Sequence, residues 1–167
     1  MDFQIRLATV EDVPAITEIY NQAIALKSAT ADISPVSEDS QRTWLAEHSA
    51  DKYPVFVAED QGAVMGYSSL SPYRPGRMAL RYTAEISYYI HEDFRGLGVG
   101  SRLIERAIEL CPRLKIKTLF AILLDINSES IHILEKIGFQ KWGHMPNVAD
   151  FGGAECGHFY YGRRVVV

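Results

Sequence analysis

Residues 95–101 read Arg-Gly-Leu-Gly-Val-Gly-Ser, so that glycines occupy three alternate positions directly after an arginine. Glycine adopts backbone conformations, and allows close approaches, that a Cβ would prevent. A helix beginning here would direct unpaired N–H groups and the positive end of its dipole outward. The segment is therefore either a tight strand-to-helix turn or a seat for an anionic group such as a phosphate. The adjacent Arg95 favours the phosphate interpretation.

Two common phosphate-binding motifs do not match this glycine turn. A dinucleotide-binding fingerprint requires glycine where Ser101 stands, and a P-loop requires a Gly-Lys-Ser/Thr sequence that is absent here. The pattern that remains is Arg95-x-x-Gly98-x-Gly100.

Glu85 is a second group that could do chemistry, in a β-rich segment over residues 81–90. A carboxylate on an interior strand can accept a proton from an amine if burial raises its pKa. The same carboxylate could instead form an ion pair with Arg81, four residues earlier on the same strand face. Both interpretations follow from the residues.

Two further polar side chains have both a structural and a functional interpretation. Asn127 precedes a helical pattern, so it is a helix cap, a ligand contact, or both. Arg74 lies in a loop over residues 71–80, where it is either solvated or placed to recognise a carboxylate.

The elements that position these groups follow from hydrophobic periodicity. Their order is β-α-α-β-β-β-α-β-α-β-β, which predicts a mixed α/β sheet. The expected strands cover residues 3–7, 55–58, 64–70, 81–90, 119–124, 139–142 and 159–167, and a hairpin loop is expected over 147–157. Helices are expected after Thr9, from Ser37, over 99–111 and from residue 128 to the cap at Gly138.

Length and composition predict one domain over residues 1–167. The net charge of −4 gives no broad reason to bind nucleic acid or an anionic membrane. Neither a signal peptide nor a membrane span is evident, and two distant cysteines favour free thiols, so a cytoplasmic location is expected. The histidines show no metal-ligand spacing, and no metal is expected.

The loop pattern resembles the acetyl-CoA pyrophosphate loop of the GCN5-related N-acetyltransferase (GNAT) superfamily. Residues 127–130, Asn-Ser-Glu-Ser, followed by Ile-Gly-Phe at 137–139, resemble its second cofactor motif. Gly66-Tyr67, Thr83-Ala84-Glu85 and Ile19-Tyr20-Asn21 are similar to one subfamily, the phosphinothricin and methionine sulfoximine/sulfone N-acetyltransferases.

This resemblance implies a GNAT fold, with a mostly antiparallel mixed sheet of about seven strands, splayed strands 4 and 5 and about four helices. It implies acetyl-CoA as co-substrate and a homodimer. It further implies that strand backbone contacts the pantetheine arm, that the glycine turn holds the pyrophosphate, and that the next helix start contacts the arm or thioester. The corresponding residues are Tyr88, Tyr89, Ile90, Arg95, Gly96, Leu97, Gly98, Val99, Gly100, Ser101, Asn127 and Ser130.

The resemblance also implies direct acetyl transfer to a small amino-acid-like amine. Glu85 would be the general base, and backbone near Tyr89 would polarise the thioester carbonyl. Arg74, Arg81, Glu85 and Ser87 are the expected substrate-binding residues. Acetylation of a polyamine or protein N-terminus, and a CoA-binding sensor without turnover, are the alternatives.

Two positions depart from the family pattern. Many relatives have a Tyr or His four residues before the Gly-Phe pair, where it can protonate the leaving thiolate; here that residue is Leu134, which also belongs to an apolar helix stripe. The subfamily often has Gly-x-Trp-x-Asp near the C-terminus, whereas residues 153–157 read Gly-Ala-Glu-Cys-Gly. The second departure predicts a different acceptor shape.

Overall fold

The computed structural model describes residues 2–165. Within them, the seven strands are β1 Gln4–Leu7, β2 Val55–Asp60, β3 Ala63–Pro72, β4 Thr83–Ile90, β5 Thr118–Leu124, β6 Gln140–Asp150 and β7 Glu155–Arg164. The four α-helices of this part of the chain are α1 Val13–Leu26, α2 Glu38–Ala46, α3 Val99–Leu110 and α4 Ser128–Lys136.

All of these strands join one mixed sheet in the order β1-β2-β3-β4-β5-β7-β6. β4 and β5 run parallel and pair over only three residue pairs, the last of which is Glu85 opposite Phe120. Beyond that pair the two strands continue to Ile90 and Leu124 without pairing to each other. The predicted α/β fold, a mostly antiparallel sheet with splayed strands 4 and 5, is confirmed.

Helices cover both faces of this sheet. On one face Tyr67 of β3 packs with Ile16 of α1. On the other face Ile86 of β4 packs in one core cluster with Ile104 of α3 and Leu134 of α4. Because successive strand residues point to opposite faces, β4 presents one set of side chains toward α1 and another toward α3 and α4.

The helix expected after Thr9 begins with a 3₁₀ turn, Val10–Asp12, and α1 follows from Val13, whereas two other expected helix ends agree with the structure. The Ser37 side chain accepts a hydrogen bond from the Ser40 N–H at the start of α2, and Gly138 adopts a φ of +90° after α4. No helix within residues 2–165 is both long enough and apolar enough to cross a membrane.

The predicted hairpin loop over residues 147–157 is wrong, because both flanking strands run further than expected. Only residues 151–154 separate β6 from β7. Pro146 and Asn147 lie in a stretch of β6 where the register to β7 shifts, so these turn-type residues bend an edge strand without ending it. The last two residues of the predicted final strand lie outside the described residues.

Arg81 lies outside β4, which corrects the prediction that it belongs to that strand. It follows a 3₁₀ turn, Met78–Leu80, and its guanidinium donates to the Met78 carbonyl oxygen at 2.8 Å. The guanidinium also covers the Tyr82 ring, 4.3 Å from the ring centroid. None of the ion pairs found in residues 2–165 includes Glu85. The alternative of an Arg81–Glu85 ion pair is therefore wrong.

Arg6 of β1 joins the edge of the sheet to the start of the first helix. Its guanidinium lies 2.7 Å from Asp12 Oδ2 and 2.6 Å from Glu59 Oε2. Asp12 also accepts a hydrogen bond from the Thr9 N–H at 2.8 Å. Burial opposes ionisation of Asp12, but the hydrogen bonds from Arg6 and Thr9 outweigh it and hold the pKa of Asp12 below its usual value.

We expect Asp12→Asn to lower the free energy of unfolding by about 1–3 kcal/mol at neutral pH, because a charged hydrogen-bond acceptor is lost. Since the folded pKa is depressed, the contribution of Asp12 is complete above the unfolded pKa of about 3.9 and is lost as the pH falls through the folded pKa. The difference between wild type and variant should therefore shrink in acid. Denaturant unfolding at several pH values measures it.

Asp51→Asn is the matched control, because Asp51 is exposed in a turn. It should change stability by less than about 0.5 kcal/mol. Equal stability of wild type and Asp12→Asn at neutral pH would contradict this account of the Arg6 network.

Candidate active site

The divergence of β4 from β5 opens a cleft with a volume of about 290 Å³. Its walls come from the second half of β4, the glycine turn, the start of α3, β5 and α4. All of the predicted cofactor residues line this cleft except Leu97, which is 44% exposed. The topology therefore brings together groups that are about 40 residues apart in the sequence.

The glycine turn has the open geometry that an anion seat requires. Gly96 and Gly98 have φ values of +75° and +80°, which L-residues with a side chain rarely adopt. No atom lies within 4 Å of the position that a Cβ would occupy at either glycine. Gly98 is the N-cap of α3 and provides no side chain, so the first N–H groups of the helix remain free for a ligand.

Asn127 is a helix cap that also lines the cleft. Its side-chain oxygen accepts a hydrogen bond from the Ser130 N–H at 3.2 Å. Asn127 and Ser130 both face the cleft opposite β4. The structural role proposed from the sequence is thus present, and the position remains compatible with contact to a ligand.

Glu85 lies at the last pair before the strands separate, on the strand face that it shares with Ser87 and Tyr89. It is partly buried, and burial raises the pKa of its carboxyl group. Within residues 2–165 its carboxylate forms no hydrogen bond or ion pair that would hold it ionised. A carboxylate in this state accepts a proton at a higher pH than an exposed carboxylate does.

Sequence reasoning missed the polar cluster that packs beside Tyr89. The Tyr89 ring lies 5.0 Å from the Tyr20 ring, centroid to centroid. The Tyr20 hydroxyl lies 3.1 Å from Thr30 Oγ1 and donates to Asp32. Thr30 and Asp32 belong to the loop between α1 and α2, which therefore packs against the candidate active site.

One sequence signal could have found this loop. Asn21 is a polar residue in an amphipathic helix. Its Oδ1 accepts a hydrogen bond from the Val36 N–H at 2.8 Å, and its Nδ2 donates to the Val36 carbonyl oxygen at 3.1 Å. The side chain of Asn21 therefore fixes the end of the loop over 27–36 against α1.

The predicted substrate arginines lie outside the cleft. Arg74 is exposed at the end of β3, with a φ of +51°. Arg81 is engaged with Met78 and Tyr82, as described above. Ser87 does line the cleft. In the described part of the chain, no group of three or more His, Cys, Asp or Glu side chains could hold a metal ion.

A protein-family model described as the acetyltransferase (GNAT) family matches residues 16–139. The chain belongs to this family. It is 39% identical over 150 residues to YwnH of Bacillus subtilis, covering 89% of this chain and 91% of the relative. It is 34% identical over 149 residues to the L-methionine sulfoximine/L-methionine sulfone acetyltransferase of Pseudomonas aeruginosa, covering 89% of this chain and 86% of the relative.

A solved GNAT structure supports the same assignment. The phosphinothricin acetyltransferase of Sinorhizobium meliloti in complex with acetyl-CoA superposes with a TM-score of 0.93 at 29% identity, covering 99% of this chain and 90% of that one. The protein is an acetyl-CoA-dependent N-acetyltransferase. Its cleft fits this co-substrate, because the unpaired edge of β4 offers backbone groups to an extended arm and the open glycine turn offers N–H groups to a pyrophosphate.

For this GNAT enzyme we expect Gly98→Ala to raise the Kd for acetyl-CoA at least about tenfold, a loss of about 1.4 kcal/mol. A methyl group would strain the left-handed backbone and enter the open side of the turn. Isothermal titration calorimetry measures the Kd.

Gly62→Ala is the matched control. Gly62 has a φ of +86°, also has no atom within 4 Å of its Cβ position, and lies in the turn between β2 and β3. Both variants should lose similar stability, about 1–2 kcal/mol, while only Gly98→Ala weakens binding. A normal Kd for Gly98→Ala would contradict the assignment of the turn.

Proposed function

We propose that this enzyme acetylates the amino group of a small amino-acid-like substrate of the phosphinothricin or methionine sulfoximine/sulfone type. The observation that carries the proposal is the partly buried, unpartnered carboxylate of Glu85 at the point where β4 leaves β5. The names of the Pseudomonas and Sinorhizobium relatives support the substrate class.

Acetyl-CoA supplies an activated acetyl group as its thioester. Glu85 accepts a proton from the substrate ammonium, directly or through water, because only the neutral amine is a nucleophile. Backbone near Tyr89, on the unpaired part of β4, donates to the carbonyl oxygen on which charge develops. Ser87 shares the face of Glu85 and is the hydroxyl that we assign to the substrate side.

Arg74 is our candidate for the carboxylate of the acceptor. Tyr73 donates its N–H to the Thr83 carbonyl oxygen at 3.3 Å, so the following Arg74 lies beside the first residues of β4. Its guanidinium forms no ion pair with any of the described residues, whereas Arg81 contacts Met78 and Tyr82. A free guanidinium suits bidentate carboxylate recognition. The altered residues 153–157 support an acceptor shape that differs from the named compounds.

We further propose that the enzyme is a cytoplasmic homodimer whose chain forms one domain. A homodimer is supported by exposed apolar side chains along the edge strand β6, where Trp142 and Val148 are 47% and 57% exposed. A single domain over residues 1–167 is supported by the joining of all described strands into one sheet. A cytoplasmic location is supported by the free thiols of Cys111 and Cys156.

We expect Glu85→Gln to lower kcat/KM by about 10²–10⁴-fold, the usual contribution of a general base. Because the pKa of Glu85 is raised and the base acts when deprotonated, wild-type kcat/KM should fall as the pH decreases through that pKa, which lies above the ordinary value of about 4.3. The variant should lack this acid limb. A thiol-release assay across pH measures both effects.

Glu105→Gln, on the exposed face of α3, is the control and should retain wild-type rates. Wild-type rates for Glu85→Gln at every pH would refute the role of Glu85 as base and would leave the substrate class standing.

We expect Arg74→Ala to raise the KM for amino-acid acceptors by about 10–100-fold with little change in kcat, because a charge-assisted hydrogen bond to the carboxylate is lost. The acceptor panel comprises phosphinothricin, methionine sulfoximine, methionine sulfone, a polyamine and a peptide with a free N-terminus. Amines that lack a carboxylate should be unaffected.

Arg77→Ala is the matched control, because Arg77 is exposed in the same loop. Faster turnover of the polyamine or the peptide than of every amino acid would refute the proposed substrate class. Tight acetyl-CoA binding without turnover of any amine would instead favour a CoA sensor.

A further inference from the structure

The hydroxyl of Tyr88 is buried and has no hydrogen-bond partner. Among the described residues, only two buried side-chain polar atoms are in this state, Tyr88 Oη and Ser68 Oγ. They belong to residues that face each other across β3 and β4. Ser68 is 1% exposed and does not line the cleft, whereas Tyr88 does. Leaving a buried hydroxyl unpaired costs about 1–3 kcal/mol, so the position of Tyr88 calls for an explanation.

Tyr88 lies three residues beyond the last pair between β4 and β5. Its side chain is on the β4 face that turns toward α4, because it packs against the core cluster that contains Ile86 and Leu134. Asn127 and Ser130, at the start of α4, line the same cleft. The phenol thus lies on the cofactor side of β4, opposite the face that carries Glu85.

Leu134 of α4 leaves one side of the cleft without a side-chain hydrogen-bond donor at its position. It is 0% exposed and lines the cleft from α4, at the position where the resemblance to the GNAT superfamily implies a tyrosine or histidine. A leucine side chain has no hydrogen-bond donor and cannot stabilise a leaving group in this way. Tyr88 brings a phenol to the same cleft from the neighbouring strand instead of from the helix.

We propose that the Tyr88 hydroxyl donates a hydrogen bond to the sulfur that leaves during acetyl transfer and so takes the place of the donor that Leu134 cannot provide. The proposal rests on the acetyl-CoA-dependent transfer described above. It assigns to Tyr88 a catalytic role for the side chain, beyond the backbone contact to the pantetheine arm expected from the sequence.

Protons and electron pairs are conserved in the proposed transfer. Glu85 takes one proton from the substrate ammonium, and the amine nitrogen then bonds to the thioester carbonyl carbon. When the C–S bond breaks, its electron pair goes to sulfur, and Tyr88 holds this negative charge through its O–H while keeping its own proton. The nitrogen loses its surplus proton as the amide forms, and the sulfur gains that proton to become a thiol.

The surroundings of Tyr88 suit a donor that stays protonated. Burial raises the pKa of Tyr88 to about 12 against a smaller lowering effect of the nearby Ser130 side chain, so the hydroxyl keeps its hydrogen at neutral pH. Hydrogen bonds to an ionised acceptor are roughly twice as strong as neutral ones, and a buried site strengthens them further.

The deciding measurement is the ionisation of CoA bound to the enzyme, followed by the ultraviolet absorbance of its thiolate. In wild type the thiol pKa of bound CoA should be lower than in Tyr88→Phe by about one unit or more, a tenfold change in the ionisation constant. This titration needs no acceptor amine, so it decides the role of Tyr88 even if the proposed substrate class is wrong.

Steady-state kinetics provide the second measurement. Tyr88→Phe should lower kcat by at least about tenfold with the KM for acetyl-CoA changed less than about threefold. Leu134→Tyr in the Tyr88→Phe background should recover part of kcat, because it returns a hydroxyl to the cleft from α4. Tyr53→Phe, which removes a hydroxyl outside the cleft, is the control and should be unchanged.

The stability of Tyr88→Phe distinguishes a catalytic role of the hydroxyl from a structural one. Since the hydroxyl has no partner, Tyr88→Phe should be at least as stable as wild type. An equal thiol pKa for CoA bound to wild type and to Tyr88→Phe would overturn the proposal. An increase in the KM for acetyl-CoA with unchanged kcat would also overturn it, because the hydroxyl would then bind the arm and not the leaving sulfur.

Discussion

β4 and β5 stop pairing after Glu85 and Phe120, and the active site depends on this interruption of the sheet. Backbone N–H and C=O groups beyond this point lack the neighbour that the rest of the sheet provides. The resulting gap lies between the glycine turn and the start of α4, so an extended ligand can take the place of the missing strand.

Because side chains alternate along β4, the proposed catalytic groups lie on its two opposite faces. Glu85, Ser87 and Tyr89 share the face toward α1 and the loop that Asn21 fixes. Tyr88 shares the opposite face with Ile86, toward α3 and α4. The two groups that we propose for accepting the proton and for facing the leaving sulfur therefore come from one strand but from its opposite faces. A one-residue slip of β4 would exchange them, and the well-packed core around Ile86 prevents it.

Local chemistry explains which features the sequence could predict. The glycine turn, the Asn127 cap and the alternation of β4 each depend on a few adjacent residues, and all three are present in the structure. The extent of β6 and the packing of the loop after α1 depend on partners in other elements, and Arg81 leaves β4 because a 3₁₀ turn, Met78–Leu80, precedes it. Pro146 reads as a turn residue, but an edge strand tolerates it because its missing N–H faces no neighbour. The unpaired state of the Tyr88 hydroxyl could not be predicted, because it depends on what α4 places opposite it.

Three of the groups that we assign to catalysis and binding lack a hydrogen-bond or ion-pair partner in the free protein. Among residues 2–165, Glu85 is partly buried without a cation, the Tyr88 hydroxyl is buried without an acceptor, and the first N–H groups of α3 have no side-chain cap. Each of these costs stability, and the apolar core on both faces of the sheet offsets the cost. We propose that the substrate ammonium, the leaving sulfur and the pyrophosphate of acetyl-CoA are the partners that satisfy them. The same unsatisfied groups that weaken the fold therefore define the charge and placement of the two substrates.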